Sequence, residues 1–175
     1  MRYALIREMD ISNGPGIRAS LFVQGCHFHC KGCFNQETWD FKGGISWDKQ
    51  TEDYFVNLCK GDHITGISIL GGEPLDQGNE LLKLIRRLKK EIPGKEIWLW
   101  TGFVINQIPV TDTTRWDILK EVDTVIDGQF MEENHKFDLQ YYGSTNQRVL
   151  SKKQIESIYN VEKIRGENHE SSSKI

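Results

Sequence analysis

The sequence predicts an α/β fold, an incomplete barrel of the TIM type in which parallel strands are covered by outer helices. Three observations predict it. Four short apolar segments alternate with helical patterns, each apolar segment runs into a turn that contains glycine, and the chain has only 175 residues. Strands that alternate with helical segments of roughly 10–15 residues are typical of βαβ units, which build a parallel sheet.

The predicted elements follow one another in a regular order. Continuous apolar segments bounded by Gly or Pro predict strands, and apolar residues at helical spacing predict helices. The predicted strands are residues 19–24, 64–70, 96–100 and 122–126. The predicted helices are residues 48–60, a helix that includes Leu81–Leu88 and ends before Pro93, and residues 113–120.

The turns after these strands are the predicted functional edge. Right-handed crossovers orient the four strands in the same direction, so their carboxyl ends meet at one edge of the sheet, where such folds bind ligands. The turns are a cysteine-rich loop, the sequence Gly71-Gly72-Glu73-Pro74, Thr101-Gly102 and Asp127-Gly128. Because a closed eight-unit barrel takes about 250 residues, we expect an incomplete barrel with one exposed side.

Two regions are predicted along the chain. Residues 1–150 form the barrel domain, and residues 151–175 form a polar tail that is either flexible or a short helix. The composition from Ser151 onward is rich in Lys, Glu, Ser and Asn. Residues 166–175 contain too little apolar surface to offset the cost of ordering, so we expect them to be flexible.

Composition and charge exclude several classes of partner. Charged residues make up 27% of the chain, the formal net charge is −3, and no Lys/Arg block forms a nucleic-acid footprint. The first ten residues lack the apolar run of a signal peptide, and no later stretch is long and apolar enough to span a bilayer. We therefore expect a cytoplasmic protein with no nucleic-acid and no membrane partner, whose four cysteines are reduced.

The cysteine cluster is the strongest chemical signal. Cys26, Cys30 and Cys33 lie within eight residues, whereas Cys59 stands apart. Three thiolates at this spacing can hold three irons of a cubane cluster and leave the fourth iron without a protein ligand, which indicates chemistry at the cluster. A zinc site completed by His27, His29 or Cys59 is the structural alternative, although zinc ligands usually form two separated pairs.

Two histidines and the fourth cysteine receive simpler interpretations. His27 and His29 are interpreted as solvated loop residues, with a role as donors close to the cluster as the alternative. Cys59, near the end of a predicted helix, is interpreted as a small buried hydrophobic residue.

The residues around the cysteines carry a family resemblance. The segment from Gly25 to Asn35 resembles the Cys-x3-Cys-x2-Cys loop of radical S-adenosylmethionine (radical SAM) enzymes. Within that superfamily it most resembles the activators of anaerobic ribonucleoside-triphosphate reductase. The likeness covers most of residues 1–150 in the same order. Its further elements are Asn13-Gly14-Pro15-Gly16 with Arg18, the Gly-Gly-Glu-Pro turn, Trp98–Gly102, Asp127-Gly128, Gly143-Ser144 and Asn146-Gln147.

The resemblance implies how a cofactor is bound. The amino and carboxylate groups of S-adenosylmethionine chelate the open iron of a [4Fe-4S] cluster whose metal ligands are Cys26, Cys30 and Cys33. Further predicted cofactor-binding residues are Gly32, Cys33, Phe34, Gly71, Gly72, Glu73 and Asp127. The two glycines of the Gly-Gly-Glu-Pro turn allow the backbone to approach the methionine amino group, Glu73 contacts the same cation, and Asp127 binds the ribose hydroxyls.

The chain also departs from the family pattern. Gly32 stands where many radical enzymes place an aromatic residue against the adenine, so its backbone and the Phe34 ring are expected to serve instead. Tyr142 stands where relatives carry an arginine. Arg18 lies far from the functional edge and is expected to pair with a carboxylate.

The implied activity is radical generation on a protein. The resemblance implies that the reduced cluster cleaves S-adenosylmethionine to a 5′-deoxyadenosyl radical, which then removes a hydrogen from a glycine of the large subunit of anaerobic ribonucleoside-triphosphate reductase. A low-potential electron donor such as flavodoxin is the other implied partner. The alternatives are a formate-lyase-type activator, a small synthase acting on a nucleobase precursor, and a non-catalytic zinc-binding module.

Overall fold

The computed structural model describes residues 1–172, which are organised by one seven-stranded sheet. The strands are β1 (Arg2–Asp10), β2 (Arg18–Val23), β3 (Ile45–Ser46), β4 (Gly66–Gly71), β5 (Glu96–Thr101), β6 (Thr124–Asp127) and β7 (Arg148–Ser151). Their order in the sheet is β3-β1-β2-β4-β5-β6-β7. The four central strands β2, β4, β5 and β6 run parallel, and β1, β3 and β7 are antiparallel to their neighbours.

Three helices cover the outer face of the parallel strands. They are α1 (Lys49–Cys59), α2 (Gly78–Glu91) and α3 (Thr113–Glu121), and a fourth helix, α4 (Lys152–Ser172), follows β7. Asp48 and Asp112 cap the amino ends of α1 and α3 by accepting hydrogen bonds from backbone N–H groups. The apolar face of α2 includes the buried residues Leu81, Leu84 and Leu88. Together with alternate residues of the central strands, these helices form the main hydrophobic core.

The predicted α/β architecture is confirmed at the level of a mixed sheet that is not closed. The four predicted strands are the four parallel ones, and the three predicted helices match α1–α3 to within a few residues. The strands β1, β3 and β7 were not predicted. In the described part of the chain β3 and β7 are opposite edges of the sheet and do not pair, which is consistent with an incomplete barrel.

The inner face of the sheet is the wall of a cavity. Side chains alternate between the two faces of a strand, so Leu21, Ile67 and Leu99 face the helices, whereas Phe22 and Trp100 line the cavity. The functional edge is therefore continuous with an inner face that no described helix covers.

Arg18 does not pair with a carboxylate as predicted. Its buried guanidinium donates hydrogen bonds to the Ser68 hydroxyl and to backbone carbonyls, including that of Ile67 at 2.7 Å and that of Glu96 at 3.1 Å. Among the described residues no carboxylate lies within ion-pair distance of it. Burial lowers the pKa of Arg18 to about 10. The side chain thus joins the amino ends of three parallel strands, because peptide carbonyls replace the expected acid.

The carboxyl-terminal segment begins as a docked helix. Ile155 of α4 is fully buried in the main core, and Tyr159 packs on Trp116 with ring centroids 5.0 Å apart. The helix runs to Ser172 and is longer than the short helix predicted. Residues 166–175 were predicted to be flexible. Because residues 173–175 lie outside the described residues, this stays a prediction. No helix within residues 1–172 is long and apolar enough to cross a membrane.

Candidate cofactor site

The four turns after the parallel strands converge on one cavity, as predicted. The cavity has a volume of about 560 Å³, within the range of roughly 300–1,000 Å³ typical of ligand sites. Its wall at this edge comprises Cys26, Cys30, Cys33, Phe34, Gly71, Gly72, Glu73, Thr101, Gly102 and Gly128. A second cavity of about 480 Å³ adjoins it and shares Phe28, Gly102 and Gly128 with it.

The three clustered cysteines are free, half-buried and directed to this cavity. The Cys33 N–H donates to the Cys30 carbonyl at 3.1 Å, and the Asn35 N–H donates to Cys33 Sγ at 3.4 Å. Burial raises the pKa of the Cys26 and Cys30 thiols above their usual value. Metal binding at these thiols therefore releases protons, as thiolate ligation requires.

Cys59 is remote from this group. It is fully buried in the main core at the end of α1, and burial raises its pKa to about 12. This geometry confirms the interpretation of Cys59 as a small buried hydrophobic residue. Within residues 1–172 no three His, Cys, Asp or Glu side chains are gathered closely enough to bind one metal ion. In a cubane cluster each cysteine binds a different iron, so the three sulfurs need not meet at a single point.

The Gly-Gly-Glu-Pro turn is fastened to the start of the cysteine loop by its backbone. The Gly72 N–H donates to the Val23 carbonyl at 2.8 Å, and the Glu73 N–H donates to the Gly25 carbonyl at 2.7 Å. A Cβ at position 72 would lie 2.4 Å from that Gly25 oxygen, which leaves no room for a side chain. Glycine is therefore required at this position by the close approach of the two loops.

Glu73 joins the second and third turns. Its carboxylate is buried and accepts hydrogen bonds from the Thr101 hydroxyl at 2.7 Å, the Gly102 N–H at 2.8 Å and the Leu75 N–H at 2.9 Å. Burial raises the pKa of Glu73 to about 7, although the three donors oppose this shift. The predicted contact of Glu73 with a cofactor amino group stays a prediction beside this structural role.

Asp127 and Gly32 do not belong to the wall of the main cavity. The buried Asp127 carboxylate accepts a hydrogen bond from the Ile105 N–H at 2.9 Å and forms an ion pair with Arg148. Ribose hydroxyls would have to compete with these partners. Gly32 has a φ of +73° and lies against the Glu132 side chain. Phe34, by contrast, lines the cavity and packs on Phe130 with ring centroids 5.2 Å apart.

The last motif of the resemblance braces the turn after β6. Gln147 Oε1 accepts hydrogen bonds from the N–H groups of Gly143 and Ser144, and its amide donates to the Gly128 carbonyl at 2.9 Å. Asn146 donates to the Gln129 carbonyl at 2.8 Å. These contacts connect residues 143–147 with the fourth turn of the site.

This chain is similar to known proteins over most of its length. The model of the 4Fe-4S single cluster domain family matches residues 12–150. The anaerobic ribonucleoside-triphosphate reductase-activating protein of Vibrio cholerae is 38% identical over 153 residues, which cover 85% of this chain and 97% of that protein. The proteins of the same name from Escherichia coli K12 and Enterobacteria phage T4 are each 37% identical. The matches cover 85% and 86% of this chain and 97% and 94% of those proteins.

The chain belongs to the family of anaerobic ribonucleoside-triphosphate reductase-activating proteins. The region matched by the 4Fe-4S model contains Cys26, Cys30 and Cys33 together with all four turns of the site. The donors present fit an iron–sulfur cluster, because three soft thiol ligands face a cavity large enough for a cluster and a small molecule.

In this member of the reductase-activating family, the His27 ring contacts a carboxylate that the sequence did not predict. Its Nδ1 lies 2.5 Å from Asp76 Oδ2, and Arg115 of α3 donates to the other Asp76 oxygen at 3.0 Å. The His27 ring also packs on Phe28 and Phe103. His27 is therefore not simply a solvated loop residue, and His29 packs on Trp39 with centroids 4.7 Å apart. The sequence separation of 49 residues between His27 and Asp76 hides the contact.

Replacing Asp76 should loosen the loop around Cys26. In Asp76→Ala, His27 and Arg115 lose their common acceptor, so local opening of the loop should become about fivefold more frequent. The measurement is the alkylation rate of Cys26 in the reduced, metal-free protein, followed by peptide mass spectrometry, with buried Cys59 as an internal reference. Glu121→Ala, which breaks the exposed Arg86–Glu121 pair between α2 and α3, is the matched control. Equal Cys26 rates in Asp76→Ala and the wild type would contradict the role of this contact.

Proposed function

We propose that this chain activates anaerobic ribonucleoside-triphosphate reductase by radical S-adenosylmethionine chemistry and forms a glycyl radical on the large subunit. One observation carries the proposal. Cys26, Cys30 and Cys33 line the same cavity, while the fourth cysteine is buried elsewhere in the fold. Three cysteine ligands leave one iron of a [4Fe-4S] cluster free of side chains and available to S-adenosylmethionine.

When bound, the reduced cluster supplies one electron to the sulfonium of S-adenosylmethionine, which yields methionine and a 5′-deoxyadenosyl radical. The chain contributes binding and orientation. The backbone at Gly71 and Gly72 borders the cavity without Cβ atoms, and its carbonyls are suited to accept hydrogen bonds from the methionine amino group. The adjoining cavity, with Phe28, Phe103 and Gln129 in its wall, is suited to an adenosyl group.

The open sheet supports a polypeptide as the substrate. The strands β3 and β7 remain unpaired with each other in the described residues, so the inner face can be reached from one side. A glycine Cα in the main chain of another protein needs such an entry, since a closed barrel would exclude it. The names of the relatives point to the same partner, the anaerobic ribonucleoside-triphosphate reductase.

The proposal includes the radical SAM form of the partial barrel and a cytoplasmic location, where the thiols stay reduced. It also includes a low-potential electron donor of the flavodoxin type. Its cofactor ligands are Cys26, Cys30 and Cys33 for the cluster, with Gly71, Gly72, Glu73 and Phe34 beside S-adenosylmethionine.

Mixing the reduced, reconstituted chain with S-adenosylmethionine and the large reductase subunit should produce a glycyl radical. The measurement is electron paramagnetic resonance under anaerobic conditions, with dithionite as the reductant, so that the result does not depend on the natural electron donor. Replacing glycine by its α-deuterated form in the large subunit should collapse the main hyperfine splitting of the signal. Cleavage of S-adenosylmethionine without this signal would retain the cofactor chemistry and reject the reductase as the substrate.

A further inference from the structure

A separate loop contributes to the wall of the main cavity. We call residues 135–144 the rim loop. Its base is closed by a β-bridge between His135 and Ser144 and by a contact of 2.7 Å between His135 Nδ1 and the Gly143 carbonyl. Tyr141, in its second half, is attached to the inner face of the sheet, because Trp100 Nε1 donates to the Tyr141 carbonyl at 2.7 Å. The rim loop is therefore a formed structure anchored at its base and at Tyr141.

The rim loop exposes an aromatic side chain that the fold does not use. Phe137 is 99% exposed, and its described aromatic contact is with His135, at 4.8 Å between ring centroids. The His135 ring in turn packs on Phe34, which is 66% exposed and directly follows Cys33. A row of aromatic side chains in contact, Phe34, His135 and Phe137, therefore runs from the residue after Cys33 to the rim loop, and its two outer rings are exposed. Exposed apolar surface of this kind marks interaction sites.

The position of this surface indicates its occupant. Phe34, Phe137 and Leu139 line the same cavity as the three cysteines, and the exposed Phe34 and Phe137 lie where this cavity meets solvent. A cavity of about 560 Å³ holds a cofactor and a few residues, but not a protein domain. When a main-chain glycine reaches the cavity, the residues on either side of it must lie on the rim. Aromatic side chains are enriched as anchors in such protein–protein contacts.

We propose that Phe137 is a docking residue for the polypeptide segment that carries the target glycine of the large reductase subunit. This inference rests on the proposed function and adds the surface that recognises the substrate. Phe137 packs into an apolar site on that segment and contributes to binding of the protein substrate, whereas the cysteines and the Gly-Gly-Glu-Pro turn deeper in the cavity bind the cofactors.

The variant Phe137→Ala tests the proposal cleanly. Because the side chain is almost fully exposed, its removal leaves no cavity in the fold, and it lies outside the residues proposed to hold the cluster or S-adenosylmethionine. Reductive cleavage of S-adenosylmethionine without the large subunit should equal that of the wild type. The concentration of large subunit that gives half-maximal glycyl radical formation should rise roughly tenfold or more, as for an aromatic anchor. Phe137→Tyr should restore most of the loss.

The control is Val161→Ala, which removes an exposed apolar side chain from α4 and should leave both measurements unchanged. Half-maximal activation by Phe137→Ala at the wild-type concentration of large subunit would overturn the proposal. A change in oligomeric state, measured by sedimentation, would also overturn it and would assign Phe137 to contacts between copies of the chain. If the wild type cleaves S-adenosylmethionine and forms no glycyl radical, the proposed function fails before this comparison is made.

Discussion

Simultaneous replacement of Cys26, Cys30 and Cys33 by alanine is expected to abolish iron and sulfide binding and all reductive cleavage of S-adenosylmethionine. The three thiols face the main cavity and are the proposed cluster ligands, whereas the fourth cysteine is buried elsewhere. Each single replacement should also remove most of the activity, because two thiolates would leave two irons of the cubane without a cysteine ligand. Iron and sulfide are measured per chain after anaerobic reconstitution, together with the release of methionine and 5′-deoxyadenosine.

Cys59→Ala is the matched control for this series. It removes a thiol from the core, so the free energy of unfolding should fall by about 1 kcal/mol, while iron content and cleavage stay at the wild-type level. If Cys59→Ala lost its iron, or if the triple variant kept cleaving S-adenosylmethionine, the assignment of the cluster to the three clustered cysteines would be wrong.

The second large effect is expected from Gly72→Ala. The added Cβ would lie 2.4 Å from the Gly25 carbonyl oxygen, which already accepts the hydrogen bond from the Glu73 N–H at 2.7 Å. The Gly-Gly-Glu-Pro turn and the start of the cysteine loop must then separate. We expect the free energy of unfolding of the metal-free chain to fall by about 1–3 kcal/mol, as for other overpacking substitutions. The denaturant dependence of circular dichroism measures this change.

The same variant should bind the cluster poorly, because displacement of Gly25 moves the adjoining Cys26. Gly61→Ala is the comparison, since its Cβ meets mainly the exposed His63 ring, which can rotate away. Two results together would show that the two loops are not held together in this way. They are a metal-free Gly72→Ala chain that unfolds at the wild-type denaturant concentration and a reconstituted one that binds the full amount of iron.

The predictable part of the fold is the part whose residues are apolar on both sides. Nearly all residues of β2, β4, β5 and β6 are buried, whichever face of the sheet they lie on. These strands therefore appear in the sequence as continuous apolar segments. The strand β1 is only partly buried and contains Arg2, Arg7 and Glu8, and β7 begins with the exposed Arg148. Their formation depends on pairing with β2 and β6, which local sequence does not report.

The candidate site was predictable where local spacing specifies it. Cys26, Cys30 and Cys33 lie on one loop, and the glycines of the second turn are adjacent in sequence, so both groups could be placed at the functional edge. The partners of Asp127 and His27 could not be predicted. Arg148 and Asp76 come from other elements, and the contacts exist only because the chain folds back on itself. The prediction that Arg18 pairs with a carboxylate was wrong for a related reason, since backbone carbonyls of other strands accept its hydrogen bonds.

The most direct test of the account is whether S-adenosylmethionine binds the reduced cluster itself. The measurement is electron paramagnetic resonance of the anaerobically reconstituted, dithionite-reduced chain, recorded without and with S-adenosylmethionine. The account predicts that the cofactor shifts the g values of the [4Fe-4S]⁺ signal, because one iron has no side-chain ligand and accepts the amino and carboxylate groups. A signal that saturating S-adenosylmethionine leaves unchanged, or a colourless chain that binds zinc in place of iron and sulfide, would contradict it.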